Sequence, residues 1–451
     1  MKALNQIKEV YFIGIGGIGM SALARYFRRQ NKLVSGYDKS PSPLTEALEK
    51  EGINIHYHPS VELMGSPDLI IYTPAIPEDF EELKAAQNME VPLLKRSEML
   101  AEITKNNPSY AIAGTHGKTT ISTILAHILW QSKLKCNAFL GGISSNYETN
   151  FLFSTAKSAV VLEADEFDRS FHRLSPKMSL VSSVDPDHLD VYEDADRMTE
   201  AFQEFIDLNH EDGVSFIHHS LVKKIKPKGR YFTYSLEPGG KFSAQNIKLA
   251  EDGYYEFDLK TTTVPVQGLK LGMPGMHNIE NAVAASAMAI EAGITELELK
   301  KGLESFKGIK RRFEFVIKSP KQVFIDDYAH HPKELDVAIA STRSLYPNKK
   351  IVGIFQPHLF SRTRDQFDGF VESLSKLDEL ILLDIYPARE TPIKGISSAA
   401  LLEKIKLKKK QLLSKEACVE YIAKKKPNLL LSLGAGDISE IVAKLKSALK
   451  S

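Results

Sequence analysis

Two segments of this 451-residue chain run from an apolar strand through a glycine-rich loop into a helix. The first begins at Val10 and passes through Gly14-Ile15-Gly16-Gly17-Ile18-Gly19 into the helical pattern Met20 to Gln30. The second leads from Tyr110 to Ala113 through Gly114-Thr115-His116-Gly117-Lys118-Thr119-Thr120 into a long apolar helix. A strand that enters a helix this way rejoins its sheet by a right-handed crossover, so each segment demands a parallel sheet covered by helices. Two such frames overfill one hydrophobic core, which seldom grows past about 250 to 300 residues.

The fold class predicted is α/β with three domains. Short β-branched or aromatic runs alternate with helical patterns along most of the chain. Residues 1–105 read as an N-terminal Rossmann-like domain, with further strands near Leu33 to Asp38 and Asp68 to Thr73. Residues 106–315 read as a central P-loop ATPase-like α/β domain with buried strands at Ala159 to Glu163 and Met178 to Val184. Residues 316–451 read as a C-terminal Rossmann-like α/β domain opening at Val323. Between 214 and 272 the pattern is less regular, and turns at Pro238-Gly-Gly240 and Glu251-Asp-Gly253 predict small antiparallel structure.

Composition narrows the function classes. Apolar residues at 43% and charged residues at 25% are those of an ordinary folded chain, not a disordered one. A net charge of +1 argues against a general grip on nucleic acid or an anionic membrane, either of which calls for a visible basic excess. Cys136 and Cys418 are too few for a disulfide framework and read as reduced, buried thiols. No run approaches the roughly 18 apolar residues of a membrane span, so a cytoplasmic protein without membrane insertion is expected. Oligomeric state is left open.

The first loop can cradle a pyrophosphate: its glycines admit close backbone approach, the helix start offers free N–H groups, and Asp38 can accept from a ribose hydroxyl. A nicotinamide dehydrogenase and a nucleotide-sugar enzyme would both use it. The second loop departs from G-x-x-x-x-G-K-[ST], with Ile112 where the first glycine would stand. Its amides can wrap a β-phosphate, Lys118 can reach the β/γ oxygens and Thr119 can ligate Mg²⁺. Acids gather after two strands, in Glu163-Ala-Asp165-Glu166 and Asp185-Pro-Asp187-His188. Glu163 is the first candidate to hold the metal. His188 by itself reads more as a structural donor, since Mg²⁺ prefers oxygen. Asn278 and Asn281 share a helix face and suit either an adenine or ribose contact or helix capping. Asp326-Asp327-Tyr328-Ala329-His330-His331 and Gln356-Pro357-His358-Leu359-Phe360-Ser361-Arg362 stand at strand ends, where ligand crevices form. Arg362 could pair with a small carboxylate, and Arg311 and Arg312 lie where the second block meets the third.

These segments together resemble the ATP-dependent Mur ligases of peptidoglycan synthesis, and within them the branch that adds L-alanine to UDP-N-acetylmuramate. The resemblance covers nearly the whole chain, through RSEMLAE at 96, GTHGKTT at 114, EADEFDRSF at 163, DPDHLD at 185, HNIENAVAA at 277, GIKRRFE at 308, DDYAHHPKE at 326, FQPHLFSRT at 355 and LGAGDI at 433. It implies that Gly14, Gly16, Gly17, Ile18, Gly19, Asp38, His58 and Thr73 bind the UDP substrate. It implies ATP on Gly114 to Thr120, Asn278, Asn281, Arg312 and Asp327, with Mg²⁺ or Mn²⁺ on Thr119, Glu163 and His188. L-Alanine would lie near Tyr328, His330, His358 and Arg362. Several Mur ligases carry a carbamylated lysine after the DH motif; Met198 to Phe202 has none, which fits the alanine-adding branch. Many alanine-adding enzymes have a basic residue after the QPH histidine, where this chain has Leu359.

The activity implied is formation of an acyl phosphate on the lactyl carboxylate of UDP-N-acetylmuramate, followed by attack of L-alanine. Lys118, Mg²⁺ and Arg312 would spread the transferring charge, and His330 or His358 would take the amine proton. Competing readings are a recycling ligase that adds a preformed tripeptide, an NAD(P)-dependent oxidoreductase and a non-catalytic nucleotide sensor. The oxidoreductase leaves the second cradle without a purpose.

Overall fold

The computed structural model describes residues 4–105, 107–185, 192, 194–388 and 390–450. The chain forms two compact units: residues 1–248, 256–272 and 279–307 make the larger, and 249–255, 273–278 and 308–451 the smaller.

Two sheets build the larger unit. The first has five parallel strands in the order Asn54–His56, Leu33–Tyr37, Glu9–Ile13, Leu69–Tyr72, Leu93–Lys95. Its central strand is buried on both faces at Tyr11, Phe12 and Ile13, which is why it reads as a continuous apolar run. The helix Ile18–Arg29 then covers one face with Met20, Leu23, Ala24 and Phe27. The next helix, Pro43–Lys50, starts where Ser42 and Thr45 satisfy each other's backbone amides and Pro43 presets the first turn.

The second sheet has ten strands. At its centre, Ser109–Ala113 lies between Met178–Val181 and Val160–Glu163, all parallel. The two sheets share one core because Tyr26 packs against Phe139, Phe151 and Phe153. Asn150 joins them too: it accepts from Arg25 and donates to the Ile18 carbonyl and the Ser21 hydroxyl. Compactness thus groups two sheets that the sequence alone separates.

Between 214 and 243 the prediction of antiparallel structure is overturned. Val214–His218 and Arg230–Ser235 pair in parallel, and Tyr234 and Ser235 pair in parallel with Phe242 and Ser243. The glycine turn at 238–240 is therefore no hairpin, because the strands extend an existing parallel sheet. At 251–253 a tight turn does form, with the Gly253 amide on the Ala250 carbonyl.

The smaller unit holds a six-stranded sheet in the order Glu314–Lys318, Val323–Asp327, Leu429–Leu433, Val352–Phe355, Glu379–Leu382, Lys410–Leu412. Its first pair is antiparallel and the rest parallel. Both cysteines are free and buried, and burial pushes each thiol up to about 12. Among the described residues no helix is long and apolar enough to cross a membrane.

Candidate active site

The first glycine loop is shaped by what stands against it. Gly14 takes a left-handed φ of +85°, and its amide and that of Ile15 both bond the Tyr37 carbonyl. A side chain at Gly14 would meet Thr73 at 2.5 Å, at Gly16 it would meet Asp38 and Thr45 at 2.7 Å, and at Gly19 Arg96 at 2.8 Å. Gly17 precedes Ile18 at the helix start without a side-chain cap, leaving that helix end free to meet a ligand. The Asp38 carboxylate accepts from the amides of Gly16 at 2.7 Å and Lys39 at 2.8 Å, so it clamps the loop before meeting any ribose. His58 is exposed, and its carbonyl accepts from the His56 ring at 2.7 Å. The imidazole built into the sheet end is His56, bonded to the Tyr11 hydroxyl at 2.7 Å beside buried Glu82.

The second loop is held from the strand end at 181. The Thr115 amide bonds the Ser183 carbonyl, the His116 amide bonds the Ser183 hydroxyl at 2.9 Å, and Ser182 reaches the His116 carbonyl. Gly114 at φ +128° leaves room for Ser182, and Gly117 at φ +82° lies under Asn281, whose Oδ1 would be 2.8 Å from an added Cβ. Thr119 and Thr120 are buried in the first turn of the helix Lys118–Gln131. Glu163 ends its strand nearby, its carboxylate accepting from the Gly141 amide at 2.7 Å and from Ser122 at 3.5 Å. An alcohol and a carboxylate suit a hard cation such as Mg²⁺. His188 lies outside the described residues.

Residue-by-residue reading missed Asp165 and Glu166 as individual actors. Glu166 is buried, and its two oxygens face the Lys118 ammonium at 2.7 and 2.8 Å; Asp165 pairs with Arg96 at 3.1 Å. Burial alone would lower the lysine, but Glu166, Asp165 and Glu163 outweigh it and hold the ammonium above its ordinary value. The acidic run was visible in the sequence; which acid faces the P-loop lysine was not.

In the helix Met276–Glu291, Asn278 is buried and its side-chain amide donates to the Pro274 carbonyl at 2.6 Å, which ties the helix start to the preceding turn. The smaller unit gathers the remaining candidates. Arg311 binds Asp326 at 3.2 Å and the Gly434 carbonyl at 2.6 Å, and Arg311 and Arg312 both stand over the Tyr328 ring, at 5.2 and 4.9 Å. Asp327 accepts from the amides of Phe313 and Ala329, both at 2.7 Å. Burial pushes its carboxyl up to about 6 against the pull of Arg312 and those amides. His330 sits 6.1 Å from His358, ring to ring, and Arg362 touches His358 at 3.3 Å. Tyr386 stacks on His358 at 5.7 Å. Burial, with Arg362 and Arg312 on the same side, holds His330 below the ordinary imidazole value despite Glu334. Three non-glycine residues here, Arg311, Phe313 and Leu359, have left-handed φ of 61°, 50° and 68°, strain of the kind that collects at working sites. At Leu359 it lets the amide bond the Tyr386 carbonyl while the helix with Arg362 begins.

The chain matches known proteins along most of its length. Residues 9–107 match the Mur ligase family, catalytic domain; 112–289 the Mur ligase middle domain; and 311–436 the Mur ligase, glutamate ligase domain. The chain is 47% identical to the UDP-N-acetylmuramate--L-alanine ligase of Parabacteroides distasonis, over 99% of this chain and 98% of that one. It is also 47% identical to the enzyme of that name from Flavobacterium psychrophilum, over 99% of each chain. Among solved structures, the UDP-N-acetylmuramate-alanine ligase MurC of Thermotoga maritima has a TM-score of 0.82 at 26% identity over 99% of both chains. A murein peptide ligase from Psychrobacter arcticus shares the fold, at TM-score 0.75 and 21% identity over 98% of both. With its three domain matches and near-half identity along its full length, the chain belongs to the Mur ligase family.

Proposed function

We infer that this chain is the ATP-dependent ligase that joins L-alanine to the lactyl carboxylate of UDP-N-acetylmuramate, giving ADP, phosphate and the alanyl product for peptidoglycan synthesis. The observation that carries this is near-half identity to enzymes of that name over 99% of the chain, in a fold that keeps a shaped P-loop with Lys118 and Thr119.

The chemistry follows from the residues. A carboxylate is a poor electrophile, so its oxygen first attacks the γ-phosphorus of ATP and ADP leaves. The Gly114 to Thr120 amides hold the phosphate chain, and Lys118 balances the charge that spreads over the transferring group. Thr119 and Glu163 offer the oxygen ligands for Mg²⁺, with His188 as a further candidate; the metal would supply charge neutralisation of the polyphosphate. Asn281 and Arg312 belong to the nucleotide side of this reading. The amine of L-alanine then attacks the acyl carbon and phosphate departs. His330 or His358 would take the amine proton; burial holds the His330 imidazole below its ordinary value, which keeps it unprotonated near pH 7. Arg362 would take the alanine carboxylate, with Tyr328 and His358 beside it. Gly14 to Gly19, with Asp38, Thr73 and the His56–His58 sheet end, would hold the UDP part. The division 1–105, 106–315 and 316–451 then gives each ligand its own domain in a cytoplasmic enzyme.

The test is phosphate release from the purified protein with ATP, Mg²⁺ and UDP-N-acetylmuramate, offering L-alanine, glycine, L-serine or the tripeptide in turn. L-Alanine should give the highest kcat/KM. Preference for the tripeptide would transfer the chain to the recycling reaction, and phosphate release indifferent to any acceptor would defeat the ligase reading.

A further inference from the structure

The larger unit contains an ion pair, half-buried at Lys118 and fully buried at Glu166, whose acid has no task in the reaction above. Glu166 is 2% exposed, and both of its carboxylate oxygens bind the Lys118 ammonium. That ammonium also donates, at 2.6 Å, to the carbonyl of Gly114, the first residue of its own loop. Lysine has three donors and no acceptor, so these contacts occupy the group that the loop would turn toward a phosphate. Glu166 is itself fixed: its carbonyl accepts from the Tyr192 hydroxyl and the Arg169 amide, and Arg169 stands over the Tyr192 ring at 5.5 Å. A polyphosphate entering the loop meets a cation already neutralised and a buried carboxylate of its own sign.

We propose that Glu166 is a positioning residue for nucleotide exchange: it is the resting counter-ion of Lys118, and a nucleoside polyphosphate enters the P-loop by replacing the Glu166 carboxylate on that ammonium. The inference rests on the P-loop reading above. A half-buried ammonium without a counter-ion is costly and favours any anion that reaches it, so without Glu166 the loop would cling to any phosphate that entered. With Glu166, departure of ADP is matched by return of the ion pair, which weakens ATP and ADP binding alike and keeps the product from lingering.

Calorimetric titration of ATP and of ADP, with Mg²⁺, into the full chain separates this from a purely structural role. Glu166→Gln keeps the shape and removes the charge; it should bind both nucleotides about tenfold tighter, with a lower KM for ATP and no gain in kcat. Glu166→Asp, which keeps the charge, should stay closer to wild type. Equal or weaker nucleotide binding by folded E166Q overturns the proposal. If E166Q melts below the assay temperature, a wild-type structure with ADP decides. Release of the ammonium from at least one Glu166 oxygen supports the exchange, and an unchanged bidentate pair refutes it. Wild-type protein that binds neither nucleotide sinks the P-loop reading and this inference together, whereas binding without tightening in E166Q removes only the latter.

Discussion

Lys118 and Glu166 make substitutions in the P-loop act on stability and turnover separately. Lys118→Ala should lower phosphate release about 10³-fold or more, since the missing charge acts on the transferring group. The fold should persist with a loss of about 3 kcal/mol, because Glu166 is left buried without a cation. Pairing K118A with E166Q should restore part of that stability and none of the turnover. Near-normal phosphate release from K118A would end the assignment. Asp327 makes a pH prediction of opposite sense to acid denaturation. Its folded carboxyl is raised to about 6, above the ordinary 3.8, so ionisation costs the fold. The contribution is complete below about 3.9 and disappears as pH rises through about 6. Urea midpoints of the wild type relative to Asp327→Asn should therefore fall between pH 4 and 7; parallel curves would contradict the burial argument.

Among the elements, the P-loop and the helix behind it respond to different insults. A methyl group at Gly114 would stand 2.1 Å from the Ser182 hydroxyl and 2.9 Å from the amides of Ser182 and Ser183, and backbone cannot yield as a flexible side chain would. Gly114→Ala should therefore abolish measurable ATP binding in a titration while circular dichroism stays near wild type. The helix Lys118–Gln131 is pinned farther along by His127, whose ring bonds the Ser305 hydroxyl at 3.0 Å and the Tyr147 hydroxyl at 2.8 Å. Burial lowers this imidazole to about 4, so the fold holds it neutral. That contribution is present above about pH 6.5 and is lost as pH falls through about 4, on the order of 3 kcal/mol. Acid unfolding followed by far-ultraviolet dichroism should be less steep over this window in His127→Gln; an equal slope would show that other groups set it. In both elements the pattern was legible beforehand: glycine spacing marked the loop and an apolar run marked the helix. The ring contacts of His127 were not, because Ser305 lies far along the chain and reaches it only through helix packing.

For the whole molecule, the two compact units carry the next prediction. The P-loop lies wholly in the larger, so ATP with Mg²⁺ at 100 times its Kd should stabilise that unit's calorimetric transition by about 2.7 kcal/mol. L-Alanine alone should leave it unmoved. One transition shifted equally by either ligand would show that the units do not melt independently. The α/β class, the two glycine-rich loops with Lys118 and the family were legible in the primary structure, because each rests on residues adjacent in the chain or on motifs in fixed order. The primary structure misled on the strands between 214 and 243, where an existing sheet edge imposed parallel pairing on a segment whose turn at 238–240 suggested a hairpin. Only the tertiary structure merged the first two sheets into one compact unit, through Tyr26, Arg25 and Asn150. It alone chose Glu166 from a run of acids as the partner of Lys118 and assigned Asn278 to the Pro274 carbonyl. The physical reason is common to all of these: a charge or an amide finds its partner by where sheets and helices pack, and residues distant in sequence become neighbours only after the chain has folded.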